Sequence, residues 1–279
     1  MMARHAAGKK GTAFRRSLER SRELPADKKP DRELVIQGSG CSLIGRGRKV
    51  NQDAFYVDPG QRYAIVADGL GGHRAGEQAS RLAIAELREH VEKFMNLGSD
   101  AALMSGMRLA FERTNQQILN AARRDSESYG MGTTAVVATL ARNGLQLAAV
   151  GDSRAYLVRD GVLRQLTTDQ TVAQVLLDAG MFVGLDVRDI PNHNVLWNCL
   201  GCEEFCEVEP SVVALEPSDR IVLTSDGVSD YVDPELIAEV VSQDAEPRML
   251  AEKLVVLAQQ QGTHDDATCV VMFCNAKED

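Results

Sequence analysis

This 279-residue chain lacks several things, and each absence narrows what it can be. No stretch approaches the ~18 consecutive apolar residues of a membrane-spanning helix. The N-terminus, Met1 to Phe14, is basic and lacks the apolar centre of a secretory signal. A surplus of positive charge is also missing: 31 Lys and Arg face 40 Asp and Glu, a net charge of −9, which disfavours broad nucleic-acid binding. No internal repeat is apparent. These absences make a cytoplasmic protein the expectation. A chain of this size needs no disulfide staples, so its six cysteines (Cys41, Cys199, Cys202, Cys206, Cys269, Cys274) are expected as reduced thiols.

What is present is an ordinary globular composition, 44% hydrophobic and 25% charged, enough for one large domain or two small ones. Residues 1–33 stand apart. They are dense in Lys and Arg, carry Pro25 and Pro30, and hold few large apolar residues, so they cannot bury enough surface to offset the entropy of ordering. A mobile tail is expected there, either a docking arm for an acidic partner or a solvated segment with no role. Residues 34–279 read as one compact domain.

Within that domain, Val35–Ile44, Ala54–Val57 and Arg62–Ala67 read as strands. Two helices follow, with Ala79, Leu82, Ala83, Leu87, Val91 and Phe94 on one face of the first, and Leu103, Met107, Ala110, Phe111, Thr114 and Ile118 on one face of the second. Beyond Gly130 the pattern changes to short strands: Thr133–Leu140, Leu145–Val150, Ala155–Val158 and Leu163–Leu166. Asn143-Gly144 and Asp160-Gly161 supply hairpin turns between them. A helix at about 170–180 precedes strands Val208–Leu215 and Arg220–Thr224, helices near 234–243 and 246–260, and a closing strand Ala267–Phe273. Sequential strands joined by tight turns, with helices in separate pairs, give an α+β class of antiparallel sheet.

The aspartates carry the chemical information. Asp68 ends the apolar run Ala64–Ala67, Asp226 follows Ile221–Ser225, Asp152 follows Leu147–Gly151, and Asp265 and Asp266 precede the last strand. A single Asp-Gly at a strand end is usually a turn. Several carboxylates, each at the mouth of an apolar strand, also fit convergence on a cation, because a buried carboxylate is costly unless compensated. Both readings stand on the residues alone. If a cation is held, hard oxygen donors select Mg²⁺ or Mn²⁺ over Zn²⁺ or Cu⁺.

Seven segments in order carry a resemblance: Arg48-Lys49-Val50-Asn51-Gln52-Asp53, Asp68-Gly69-Leu70-Gly71-Gly72-His73, Gly132-Thr133-Thr134, Val150-Gly151-Asp152-Ser153-Arg154, Leu166-Thr167-Thr168-Asp169, Ser225-Asp226-Gly227 and Gly262-Thr263-His264-Asp265-Asp266. Together the set resembles the metal-dependent protein phosphatases of type 2C in their bacterial form, from about Ser39 to Phe273. The resemblance implies a four-layer α/β/β/α sandwich of two antiparallel sheets flanked by helix pairs. It implies two Mn²⁺ or Mg²⁺ ions bridged by Asp68, with the Gly69 carbonyl on one, Asp226 and Asp265 completing the first, and Asp53 holding water of the second. Asp152 with Asp226 matches a third-metal position, and Arg48 would grip the substrate phosphate. The implied reaction is in-line attack of a metal-bridging hydroxide on phosphoserine or phosphothreonine. The implied partners are phosphoproteins and a Ser/Thr kinase that the enzyme opposes, and a monomer is expected. The alternative function is a pseudophosphatase that binds phosphoproteins without turnover.

Some positions depart from the family pattern. Asp266 stands where an amide is common and adds a carboxylate near the metals. Leu70 replaces the His proposed as general acid in eukaryotic members, and Gln170 replaces a common His. Residues 170–201 correspond to the flap over the site, where Trp197-Asn198-Cys199 replaces the usual Thr-Arg-Ala. For His73 a structural loop role is favoured over a ligand or acid, and His264 reads as a loop residue or an orienter of metal-bound water. Cys199, Cys202 and Cys206 with His193 could form a Zn²⁺ site, but there is no second Cys pair and free thiols are the default.

Overall fold

Tyr63, Ile65 and Ala67 point into one hydrophobic cluster, while Ala64 and Val66 between them point into another. A strand buried on both faces in this way must lie between two layers. The computed structural model describes residues 33–71, 74–124, 128–142 and 144–277. The expected tail up to residue 32, together with Gly72, His73 and Asn143, lies outside the described residues.

In chain order the strands are β1 (Leu34–Leu43), β2 (Asp53–Val57), β3 (Tyr63–Leu70), β4 (Gly132–Thr133), β5 (Ala135–Ala141), β6 (Gly144–Val150), β7 (Arg154–Arg159), β8 (Val162–Gln165), β9 (Ser211–Val213), β10 (Arg220–Thr224) and β11 (Ala267–Ala276). The helices are α1 (Arg74–Met95), α2 (Asp100–Arg124), α3 (Val172–Asp178), α4 (Asp226–Ser229), α5 (Pro234–Val241) and α6 (Pro247–Gln260). One sheet runs β1-β11-β10-β7-β8; the other runs β2-β3-β5-β6-β9, with β4 also on β3. Every pairing is antiparallel.

Period-two alternation builds the layers. Val136, Ala138, Leu145 and Leu147 of one sheet meet Ala155, Leu157, Ile221, Leu223, Val270 and Met272 of the other, which forms the inter-sheet core. The opposite faces receive the helices. Ala135, Val137, Ala148 and Val150 pack with Ala79, Ala83, Leu87 and Val91 of α1 and with Met107, Phe111 and Ile118 of α2. Tyr156, Val222, Cys269 and Val271 pack with Ile237 and Val241 of α5 and Leu250 and Leu254 of α6. Alanines on the inner face of α1 let its backbone approach the sheet closely. The result is the α+β class that the sequence pattern anticipates, in the helix, sheet, sheet and helix layers that the family resemblance implies.

Three local differences have physical reasons. β9 is three residues rather than Val208–Leu215, because Pro210 lacks the N–H that would extend the ladder at its start and its partner β6 begins only at Gly144. The expected strand Thr133–Leu140 is divided at Thr134. There the Asp68 N–H is taken by the Thr134 hydroxyl (3.0 Å), while the Thr134 N–H still donates to the Asp68 carbonyl (2.9 Å). The one-turn helix α4 was not anticipated, since a four-residue segment containing Gly227 has no readable period.

The layered core predicts where truncation hurts. Leu145→Ala, at a fully buried inter-sheet position, should cost about 3 kcal/mol in urea unfolding. Leu97→Ala, 63% exposed, should stay within about 0.5 kcal/mol. Equal effects of the two would contradict the layer assignment.

Candidate metal centre

Antiparallel pairing sets Asp53 of β2 directly opposite Asp68 of β3. Like charges at such a cross-strand pair destabilise a sheet, and both residues are buried, at 7% and 6% exposure. Asp226 joins them from the other sheet, at the start of α4 just beyond β10. Ser225 ties the two sheets at this point: its hydroxyl donates to Asp53 Oδ2 (2.7 Å) and accepts the Thr268 N–H (3.0 Å). The site thus lies where strand ends of both sheets meet.

Burial, then the charges of Asp226 and Asp266, push Asp53 up to about 7, against the pull of hydrogen bonds from Thr268 and Ser225. Burial and Asp265 raise Asp226 to about 6. Asp68, buried beside Asp53 and Asp226 and hydrogen-bonded to Asp226, lies well above the usual carboxylate range. Asp152 is raised in the same way by burial, Asp226, Asp169 and Asp230. The expected residues Asp53, Asp68, Asp152 and Asp226 therefore form one interacting cluster. Asp265 is raised mainly by burial, with Arg48 opposing.

Two oxygens in this cluster, Asp53 Oδ1 and Asp226 Oδ1, are buried with no hydrogen-bond donor. An orphaned buried carboxylate oxygen is what a hard cation would satisfy, and the all-oxygen donor set suits Mg²⁺ or Mn²⁺. Among the described residues, no three His, Cys, Asp or Glu side chains already surround one point as a finished ligand shell. The hydrogen-bonding pattern explains this. Asp53 turns one oxygen to Ser225, and Asp265 turns to Arg48 Nη2 at 2.5 Å.

Arg48 is positioned by Asp266, whose added carboxylate also lies near enough to Asp53 to raise it. Asp266, fully buried, accepts the Gly45 N–H (2.7 Å) and Gln52 N–H (2.8 Å), and pairs with Arg48 Nη1 at 2.8 Å. Its carboxylate braces the Gly45–Gln52 loop and the guanidinium on it. This positioning role has no signal in spacing, because only the folded loop brings residues 45–52 against 266. Gly69 is needed for close approach: a Cβ there would collide with the Gly76 carbonyl at the start of α1, and the Gly69 N–H donates to Gln52 O (3.1 Å).

Beyond the cluster, Arg154 is buried and forks onto Asp169 (Nε–Oδ1 2.9 Å, Nη2–Oδ2 2.6 Å), with Asp230 at 3.7 Å. His193 faces Asp230 at 3.1 Å rather than the cysteines. Asp230, just beyond the Ser225-Asp226-Gly227 segment, carried no sequence signal, and Ser225 within that segment was given no role of its own; only three-dimensional contact reveals the part of each. His264 is exposed. The cysteines also require correction: Cys199 and Cys202 are disulfide-bonded, and the free thiols are Cys41, Cys206, Cys269 and Cys274. The 170–201 segment and β8 line a cleft of about 660 Å³ that includes Arg164, Thr168, Leu185 and Arg188.

Comparison with known proteins shows what the chain resembles as a whole. The family described as Protein phosphatase 2C matches residues 40–261. The Listeria monocytogenes serine/threonine phosphatase stp is 33% identical over 231 residues, covering 82% of this chain and 92% of that protein. The crystal structure of the Mycobacterium tuberculosis serine/threonine phosphatase PstP/Ppp superposes with a TM-score of 0.78 at 35% identity, over 86% of this chain and 98% of the other. A structure of the PstP catalytic domain in complex with two manganese ions gives 0.76 at 32% identity, over 87% and 100%. On sequence and fold, the chain belongs to the protein phosphatase 2C family.

Proposed function

We propose that this chain is a protein-serine/threonine phosphatase that hydrolyses phosphoserine and phosphothreonine with two Mn²⁺ or Mg²⁺ ions, opposing a Ser/Thr kinase in the cytoplasm. The observation that carries the reading is the pair of donor-less buried oxygens, Asp53 Oδ1 and Asp226 Oδ1, in a carboxylate cluster beside Arg48. The names of the relatives support the substrate class, and the manganese-bound relative supports the metal. No described helix is long and apolar enough to cross a membrane.

In this reading Asp68, Asp226 and Asp265 would hold one ion, Asp53 with Asp68 would serve the second, the Gly69 carbonyl would add a donor to one of the two, and Asp152 with Asp226 would take a third. Such ions, when bound, activate water at neutral pH and neutralise charge on phosphoryl oxygens. The protein's own residues do the rest. Arg48 offers a forked guanidinium to two phosphate oxygens, which requires exchanging its contact with Asp265 for the substrate. Asp266 keeps the same guanidinium aimed during that exchange, because it holds the loop through two backbone N–H groups as well. Leu70 offers no proton, so the leaving alkoxide takes its proton from water in the site.

The direct test is p-nitrophenyl phosphate hydrolysis by the full chain in EDTA, Mg²⁺ or Mn²⁺. Activity should require one of the two ions. Asp68→Asn and Asp226→Asn should lower kcat by ~100-fold or more while keeping the circular dichroism of the parent. Arg48→Ala should act mainly on KM. Folded protein inactive with every ion would favour the non-catalytic, phosphoprotein-binding reading.

A pH prediction follows from the raised carboxylates. Asp53 and Asp226 bind protons more tightly folded than unfolded, so the folded state carries more protons between the ordinary value of 3.8 and about 7. Their contribution to stability is therefore fully present below that window and is lost as pH rises through it. In EDTA, urea midpoints should fall across that range, and Mn²⁺ should restore them most at the high end. A metal-free midpoint that rises steadily to pH 7 would remove the cluster's electrostatic basis.

A further inference from the structure

Cys199 and Cys202 are joined with Cα atoms 5.7 Å apart, and the phosphatase chemistry does not use them. Their turn is wired to the carboxylate cluster. Leu200, between the two cysteines, is fully buried and exchanges both backbone hydrogen bonds with Thr133 (2.9 Å each). Thr133 pairs with Gly69, and its hydroxyl donates to the Asp68 carbonyl at 2.8 Å. The sulfurs press on Gly132, where a Cβ would meet Cys202 Sγ at 2.7 Å, and Gly132 pairs with Leu70. Gly201 holds a left-handed φ of +83°, and its N–H donates to Asn115 Oδ1 of α2 at 2.6 Å. A single rung of sheet separates the disulfide turn from Asp68-Gly69.

A purely stabilising staple fits this pair poorly. The cysteines are only three positions apart, so the bond removes little loop-closure entropy, and three hydrophobic clusters already hold the domain. The two sulfurs are also unequal: Cys199 is 8% exposed, whereas Cys202 faces solvent. An open and a covered sulfur in a Cys-x-x-Cys turn is an arrangement suited to directed thiol exchange.

We propose that Cys199–Cys202 is a reversible thiol-exchange site for a dithiol reductant, and that its redox state sets how firmly β4 holds Asp68-Gly69 for the metal. An incoming thiolate attacks Cys202 Sγ, forming a mixed disulfide and expelling Cys199 as a thiolate that takes a proton from water. The second thiol of the reductant, as its thiolate, attacks the reductant sulfur of the mixed disulfide and expels Cys202, which is protonated in turn. The protein gains two electrons and two protons, and the dithiol loses two of each to become a disulfide. The oxidised turn is the constrained one, so it is the state that preorganises Thr133 and the Asp68 carbonyl. The exchange stands on the cysteine geometry alone; its coupling to metal rests on the proposed metal site.

The test equilibrates the full chain in graded reduced and oxidised dithiothreitol, then counts thiols by alkylating mass tags after denaturation. Four tags are expected when oxidised and six when reduced, with the two extra mapping to Cys199 and Cys202. Calorimetry with Mn²⁺ alone should show affinity weaker by about 5-fold or more in the reduced protein. By thermodynamic reciprocity, saturating Mn²⁺ should shift the wild-type reduction equilibrium toward the disulfide by the same factor, a readout a passive staple would not move. The Cys199→Ser/Cys202→Ser variant should lose the redox dependence, and Cys206→Ser should keep it. Where the double variant fails to fold, the wild-type reciprocity measurement decides alone. Six tags throughout, or four that no dithiol can raise, would overturn the exchange. Equal Mn²⁺ affinities in the two states would overturn the coupling. No Mn²⁺ binding in either state would overturn the metal reading and the coupling with it, while the tag count still judged the exchange.

Discussion

The structure turns on one electrostatic constraint, the gathering of buried like charges where two sheets meet. Asp53 and Asp68 face each other across a β-ladder, and Asp226 reaches them from the opposite sheet. Each would be better solvated elsewhere, and their raised affinity for protons measures that frustration. The surrounding fold makes the arrangement tolerable. Apolar side chains from three clusters fix the strands, so the carboxylates cannot relax apart. Ser225 and Thr134 take up the hydrogen bonds that the crowded strand ends leave over. Charge held under strain in this way suits a site that binds cations and, through them, phosphate.

The acidic residues at the last strand divide two tasks between neighbours. Asp265 remains partly solvated and pairs with Arg48, which leaves it free to exchange partners. Asp266 is fully buried and committed to two backbone N–H groups and the guanidinium. Adjacent residues of one type thus diverge in role because, in the irregular segment before β11, Asp266 is fully buried while Asp265 stays partly exposed. A similar division applies across the β3 edge. Its Asp68-Gly69 end is supported on one side by β2 and on the other by β4, and β4 in turn leans on the Cys199–Cys202 turn. That geometry makes a covalent bond outside the cluster a mechanical neighbour of the buried carboxylates.

Much of this was legible in the residues. The helical stripes of α1 and α2 and the short strands with Asp-Gly turns specify the α+β class, since period 3.6 and period 2 are local properties of the chain. The aspartates at strand mouths were legible for the same reason: an acidic residue closing an apolar run is visible without a fold. Other features were not. Pro210 at one end and the start of β6 at the other shortened β9 below what its β-branched content suggested. The role of Asp266 depended on residues more than two hundred positions away.

By itself, then, the sequence determined which segments become helix and strand, which faces are apolar, and which carboxylates sit at strand ends. These follow from side-chain chemistry and spacing along a few consecutive residues. Tertiary structure alone decided which carboxylates meet, which oxygens are left without donors, that Asp266 serves Arg48, that His193 answers Asp230 and not the cysteines, and that Cys199 joins Cys202. Those outcomes depend on the register between strands and on packing between layers. Both are set by the sum of many distant contacts, which no local pattern encodes.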